Sequence, residues 1–553
     1  MDAYYTFVLP ILMSSVAVWQ LYNRLEPTGF VSSVTLLLGI PAALSYHLAL
    51  AFSSTWSAVT SVFLLYWSSL VTLIALYRIS SFHPLARYPG PLPCKISKGW
   101  MSYIAARKDM HRYVNGLHAK YGDVVRIGPN ELSFRHGDLI EPILANKDLR
   151  KGPYYNLRTR DGVSSIDGTK DYSEHAARRR LWDRGLGAAM TKVYMDSLVN
   201  VVSELMQKLS NRQNEVVDIS QWLSLAGFDF MGKIIFSVSF DMVKNEHDHN
   251  GLIKLVQKTT YICHILAQIS WIYPYLLKIP GAAGTVKTAR RIGVEMAEKR
   301  KNLGSNSYDL YHYLLDEEGL EKVKPSERFA LREGFVAIIA GSETTATAAT
   351  NTLYFLLKHP DVKRRLQKEI REVFPENGEI SDCTKFNELP FLNACINESL
   401  RLLPPGLTGL QRQVDPRSGG KMLGSYFVPA GTNVSAHLYS IQRDPRYFSP
   451  LADTFWPDRW LSQDHYTLPS GEVITKDNLI HNRDVFLPFS TGQQNCAGKN
   501  VANMELRSLL VALLNQFDIE PAEGFRVGDY EEGLADVYVT LRGPLYVQLR
   551  SVH

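Results

Sequence analysis

Between Pro27 and Tyr77 the chain carries not one Asp, Glu, Lys or Arg, and a second charge-free run covers Ala3 to Asn23. Only Arg24 and Glu26 interrupt the two. A helix needs about 20 consecutive apolar residues to cross a bilayer core, and residues 30–52 and 56–77 each meet that length. The first run is shorter and ends with Gln20 and Asn23, so two spans are expected and a third is open. A secretory leader fits poorly, because the only charge ahead of the apolar run is Asp2 rather than Lys or Arg. A buried helical hairpin is the alternative to a membrane anchor, but the N-terminal placement favours the membrane.

Orientation follows from the flanks. Arg78, Arg87, Lys95, Lys98, Arg107 and Lys108 follow the last run, whereas the linker at 52–55 has no basic residue. Positive charge collects on the cytosolic side, so the body of the chain is expected in the cytosol. With three spans the N-terminus would face the lumen and Arg24 the cytosol. The two N-x-S/T matches, at Asn397 and Asn433, would then never meet the glycosylation machinery. Residues 1–80 are therefore read as a membrane anchor region.

The remaining chain is globular in composition: 45% hydrophobic and 21% charged over 553 residues, enough to bury a large core. A single large catalytic domain accommodates that length. A net charge of +5 is too small and too diffuse for a nucleic-acid protein, which concentrates basic patches. The five cysteines, Cys94, Cys263, Cys383, Cys395 and Cys496, are odd in number, scattered and free of any C-x-x-C pair. That excludes a disulfide framework and a zinc site of the usual spacing, and it fits a reducing compartment.

A proline-rich stretch at 84–93 contains Tyr88-Pro89-Gly90-Pro91. Proline blocks helix continuation, so residues 81–95 read as a stiff hinge and 96–553 as the catalytic domain. A strand-turn-strand is expected at 124–127 and Glu131–Phe134 about Gly128-Pro129-Asn130. The pattern predicts a long helix over Glu327–Lys358, capped by Ser326 and followed by Pro360. It predicts an amphipathic helix over 362–374 that starts after Asp361. Short strands and proline-rich loops follow Pro404, a helix covers 500–514, and residues 537–549 alternate like strands. The expected fold is mainly α with a minor β component.

The most informative segment is Phe489-Ser490-Thr491-Gly492-Gln493-Gln494-Asn495-Cys496-Ala497-Gly498. A cysteine just ahead of a helix can place its sulfur at the helix N-terminus, where N–H groups and the helix dipole favour thiolate. Gly492 and Gly498 permit backbone to approach a flat ligand. Read alone, the segment fits an inert buried cysteine at least as well. Three further motifs decide the matter: Ala340-Gly341-Ser342-Glu343-Thr344-Thr345, Glu398-Ser399-Leu400-Arg401 and Phe455-Trp456-Pro457-Asp458-Arg459-Trp460.

In that order and spacing the motifs resemble the cytochrome P450 family across most of residues 84–553. The family's cysteine loop reads F-x-x-G-x-[RH]-x-C-x-G, and Phe489, Gly492, Cys496 and Gly498 match it. The resemblance implies a P450-like fold behind the anchor, haem b as cofactor and Cys496 as its axial thiolate and metal ligand. Such a ligand pushes electron density to the iron and favours O–O cleavage. It further implies that Glu343 and Thr344 are the acid–alcohol pair delivering protons, with Glu343 relaying through water. Glu398 and Arg401 stand i,i+3 on one helix face, and Arg459 can complete a structural cluster supporting the cysteine loop. His175 and Arg179 fall on the spacing of the family's Trp-x-x-x-Arg pair, with histidine replacing tryptophan. With Arg412 they are implied propionate partners, since guanidinium donates bidentate bonds to carboxylates. Arg178–Arg180 also fit a basic face for an acidic redox partner. Where most members carry Arg or His, this chain has Gln494, which can donate a hydrogen bond but brings no charge.

The function the resemblance implies is insertion of one oxygen atom from O2 into an apolar, lipophilic small molecule beside Ala340 and Thr344. Electrons would come from NADPH through a separate NADPH-cytochrome P450 reductase, because the chain shows no Gly-rich dinucleotide fingerprint of its own. The setting implied is the endoplasmic reticulum membrane, with lipid around the anchor and the catalytic domain cytosolic. Arg126-Ile-Gly-Pro-Asn-Glu131 and Lys151-Gly-Pro-Tyr154 look most like filamentous-fungal members, which commonly serve secondary metabolism. The alternatives are a haem-thiolate isomerase or dehydratase, against which Glu343-Thr344 counts, and a non-catalytic haem-binding membrane protein, for which Gln494 speaks. Parts of 228–240 and 329–340, with the loop after Pro405, are the expected pocket walls.

Overall fold

The computed structural model describes residues 7–552 except 26, 28, 50, 51, 53, 161, 162, 250, 280, 282, 283, 305–307, 376–382 and 409. Helix makes up 60% of the structure and strand 10%, so the molecule is mainly α with a minor β component.

Among the described residues, two helices are long and apolar enough to cross a membrane, Phe30–Leu48 and Thr55–Ile79. Helix Leu9–Leu25 packs with them around Ile11, Val18, Val62, Tyr66 and Leu70, and the Ser15 hydroxyl donates to the carbonyl of Tyr66 (3.2 Å). Most of their apolar surface points outward, including Val31, Leu38, Leu64 and Val71. The proline stretch that follows is seated on the body rather than strung between parts: Leu85 and Tyr88 are buried. Arg126 N donates to Pro89 O (2.7 Å). Gly90 allows that approach, since a Cβ there would lie 2.3 Å from the Arg126 carbonyl oxygen. A short helix, Leu92–Ile96, begins inside the segment.

The principal sheet has five strands, in the order Val124–Gly128, Glu131–Phe134, Asn433–Ala436, Arg412–Val414, Leu149–Lys151. The first two form the hairpin expected about Gly128-Pro129-Asn130, with Val124 opposite Phe134. Asn433–Ala436 runs parallel to the hairpin's second strand, and the other pairs are antiparallel. A second sheet joins Phe517–Pro521, Tyr546–Ser551 and Val216–Asp218. Of the alternating stretch 537–549, only the part from Tyr546 is strand; upstream the chain makes one isolated bridge, Ala535 with Leu541.

The core is organised on the helix Glu327–Lys358. Its start follows from Ser326, whose hydroxyl oxygen accepts Phe329 N (3.2 Å), satisfying one of the free first-turn donors. From Thr345 to Leu357 it is buried on every face, the mark of a helix inside a large core. The amphipathic helix after it is Pro360–Val373, two residues earlier than the pattern predicts. Proline is tolerated in a first turn where no backbone donor is needed, so Asp361 lies within that turn rather than before it. The helix after the cysteine is Lys499–Gln516.

Candidate active site

The long helix and the cysteine loop face each other across a cavity of about 620 Å³, within the range of small-molecule and cofactor sites. One wall carries Ala340, Gly341, Thr344 and Thr345; another carries Phe489, Gln494, Cys496 and Gly498. The loop is held by Cys496 N donating to Phe489 O (2.9 Å). Gly492 has φ +73°, and a Cβ there would sit 2.7 Å from Ala145 Cα. Both the left-handed backbone and the contact with helix Ile140–Leu144 therefore require glycine.

Cys496 has exposed surface and lines the cavity. Burial pushes its thiol up, and Gly498, Arg179 and Lys499 pull only partly in the other direction. The helix begins at Lys499 with Gly498 as its flanking residue, and the Gly498 N–H favours the thiolate as expected from sequence, against the opposing effect of burial. A metal bound at the sulfur would supply the missing stabilisation, since a coordinating thiol is deprotonated outright.

His175 and Arg179 lie on helix Tyr172–Leu186 and line the cavity. Arg179 donates from Nη1 to Asn495 O (2.6 Å) and from Nε to Asp183 (2.7 Å), tying that helix to the cysteine loop. Burial, then Lys151 and Arg179, lower His175 to about 4. Lys151, which no motif marks as a site residue, stands in the same wall; burial lowers it to about 7, and its Nζ donates to Ile166 O (3.0 Å). Arg412 is fully buried behind the wall and is not part of it; Nη1 donates to Gln411 O (3.3 Å) and Nε has no partner. Gln494 lines the cavity with neither side-chain polar atom partnered.

Glu343 is not in the cavity wall. Its Oε2 accepts Arg542 Nη1 at 3.0 Å, with both side chains 3% exposed. Thr344 does line the cavity, and its hydroxyl donates back to Ala340 O (2.5 Å). Adjacent residues on a helix point about 100° apart, and here the long helix turns the alcohol to the cavity and the acid to Arg542.

Behind the loop, Glu398 and Arg401 of helix Pro390–Leu402 meet Arg459. Glu398 accepts Arg401 Nε and Nη2 (both 2.8 Å), Arg459 Nε (3.1 Å), Trp460 Nε1 (2.9 Å) and Trp456 N (3.1 Å). Burial works to raise its carboxyl, but Arg401 first and then Arg459 hold it below the usual range. The Trp460 ring continues the chain of contacts to Phe486, with centroids 4.6 Å apart. Leu487, Pro488 and Phe489, the next residues, line the cavity.

Two parts of the wall were not among the expected pocket walls. One is the turn from Tyr154 to Arg158 with Ser165–Asp167; the other is helix Leu252–Gln268, through Thr259, Thr260, Cys263 and His264. Glu333 on the long helix holds the first in place: Oε1 accepts Ile166 N (2.8 Å) and Oε2 accepts Trp182 Nε1 (3.0 Å). Burial, then Asp167, push its carboxyl up to about 8. The folded value lies above the unfolded one, so this group's contribution to stability is complete below about pH 4.5, declines as pH rises, and is gone above about pH 8. Glu333→Gln should therefore flatten the loss of thermal stability between about pH 6 and pH 8. An unchanged slope in a pH series of melting curves would show that Glu333 is not its source.

Residues 87–548 match the family described as Cytochrome P450. The chain is 30% identical over 490 residues to the cytochrome P450 monooxygenase FCK2 of Fusarium pseudograminearum, covering 87% of this chain and 85% of that one. It is 30% identical to the monooxygenase nodW of Hypoxylon pulicicidum (89% and 86% covered) and 31% identical to hepC of Aspergillus oryzae (85% and 93%). With a match running from Arg87 almost to the C-terminus, and relatives aligned over most of both lengths, this chain belongs to the cytochrome P450 family.

Proposed function

We propose that the chain is a membrane-anchored, NADPH-dependent monooxygenase that inserts one oxygen atom from O2 into a lipophilic small molecule in fungal secondary metabolism. The carrying observation is the cavity that sets Cys496 opposite Thr344, with Lys151, His175 and Arg179 in its wall. These residues fit haem: Cys496 would supply a thiol to its iron, Arg179 and Lys151 would offer N–H donors of positive charge to its carboxylates with His175 as a neutral donor beside them, and the Gln494 amide is left without protein partners. Haem, when bound, supplies the activation of O2 that no side chain can perform. The protein's own part is to hold Cys496 in a loop braced by the Glu398 cluster and to keep the Thr344 hydroxyl at the reacting face. The Phe335–Ala340 segment lines the cavity with apolar surface and keeps water from the substrate.

Residues 1–80 are the anchor in this reading, supported by two apolar helices with outward-facing side chains. The basic residues after Tyr77 support a cytosolic domain; in this reading the membrane is that of the endoplasmic reticulum and a membrane-bound reductase delivers the electrons. The test is turnover in microsomes with added NADPH-cytochrome P450 reductase. Substrate loss should require NADPH and consume O2 in proportion to product. Product formed without NADPH or O2 would favour an isomerase instead.

A further inference from the structure

His264 lines the cavity from helix Leu252–Gln268, is 1% exposed, and leaves Nε2 without a partner. Its Nδ1 is 2.8 Å from the Tyr154 hydroxyl, itself in the cavity wall. The imidazole is neutral, because burial, then Arg158 and Lys98, lower it to about 3. Two proton arrangements are then possible. If Nδ1 carried the proton and donated to Tyr154, the buried phenol proton and Nε2 would both lack a partner. If Tyr154 donates to Nδ1, a single group is left over, and it is an Nε2–H donor. Fewer buried unpaired groups means lower cost, so the second arrangement holds.

The surroundings narrow what that donor meets. Thr259, on the same helix and in the same wall, has an unpartnered hydroxyl. Arg158, the nearest cation in the wall, is spent on Asp167 (2.5 Å) and lies over the rings of Tyr154, Tyr155 and Tyr538. Asp167 also accepts the Ser165 hydroxyl (2.5 Å). Leu157, Tyr273, Leu331 and Phe335 complete an apolar and aromatic rim. Beside His264 the wall therefore offers the Nε2–H and the Thr259 hydroxyl for hydrogen bonding, while the charge of Arg158 is already matched by Asp167.

Resting on the haem-thiolate reading of the cavity, we propose that His264, fixed as an Nε2–H donor by Tyr154, selects neutral lipophilic substrates carrying a hydrogen-bond-accepting oxygen such as a carbonyl. A site built to bond a polar group discriminates against the analogue that lacks it.

The test is a spin-state titration of the ferric full-length protein with fluorenone and fluorene, a ketone and a hydrocarbon of one skeleton. The ratio of their dissociation constants should shift toward the hydrocarbon by about tenfold in His264→Phe, the worth of one neutral hydrogen bond. His264→Gln, which keeps an N–H donor, should recover part of the preference. Should His264→Phe fail to load haem, Tyr154→Phe carries the same test, since it frees the tautomer while keeping the ring. A ratio identical in the native protein and the variants, or no binding of either probe, overturns the proposal. Reduced carbon monoxide spectra of each variant keep the two readings apart: a normal thiolate band with no ketone preference sinks the role of His264 alone.

Discussion

Glu398→Ala is expected to cost about 3–5 kcal/mol of folding stability, because it leaves two buried guanidinium groups without their shared carboxylate. Arg401, Arg459 and Glu398 all have side chains with no exposed surface. Arg401 also holds the carbonyls of Gln442 (2.6 Å), Ala452 (2.5 Å) and Thr454 (3.3 Å), and Arg459 holds those of Pro450 (3.0 Å) and Leu451 (2.8 Å). The carboxylate thus orients donors that fix some dozen residues of backbone between the Glu398 helix and the cysteine loop. Domains are stable by only about 5–15 kcal/mol, so little haem-loaded protein should survive. The contrast is Arg365→Ala, which breaks a half-exposed pair with Asp458 (2.7 Å); such pairs are worth about 0–1 kcal/mol. Haem content per protein and urea midpoints of the two variants check this, and equal midpoints would contradict it.

The second large effect is at Arg542. Besides Glu343, it donates to Thr347 Oγ1 (2.6 Å), Ser224 Oγ (2.5 Å) and Ser220 O (3.2 Å). It thereby fastens the C-terminal chain to the long helix and to helix Ile219–Phe236. Arg542→Met strands the Glu343 carboxylate in the core, again at about 3–5 kcal/mol. Glu343→Gln alone should be milder, since an amide oxygen still accepts from Arg542. The double variant should be more stable than Arg542→Met by about 1–3 kcal/mol, the coupling of a contacting pair. Turnover then separates two roles for Glu343. If product per NADPH returns in the double variant along with stability, the carboxylate is an architectural anchor; if stability returns and product does not, it carries protons.

That pair shows where sequence reading stops. The motif around Glu343 and Thr344 was legible, yet nothing local says which of two adjacent helical residues faces a ligand; a partner 199 residues away in sequence decided it. The long helix was legible to the residue, because Ser326 and Pro360 punctuate it. The hairpin was legible to within one residue, its first strand running on to Gly128, since Gly128-Pro129-Asn130 leaves two strands one way to pair. Residues 537–549 misled because alternation also arises in a loop threaded through the core: Val537 is fully buried while Tyr538 turns into the cavity wall with φ +80°. Nothing in the sequence marked Tyr154 or His264 as cavity wall, as a residue facing a ligand and one facing the core share the same periodicity. Lys151 was in view as part of Lys151-Gly-Pro-Tyr154, but only its position on the sheet's edge strand brought it beside His175.

The central claim is that Cys496 holds a haem iron as a thiolate in this cavity. The most direct measurement is the carbon monoxide difference spectrum of the reduced protein in microsomes, native beside Cys496→Ala. The account predicts a strongly red-shifted Soret band in the native protein, showing that Gln494 does not prevent haem binding, and no such band in the variant. A native band at the position of a neutral ligand, or the same shifted band in Cys496→Ala, would contradict it.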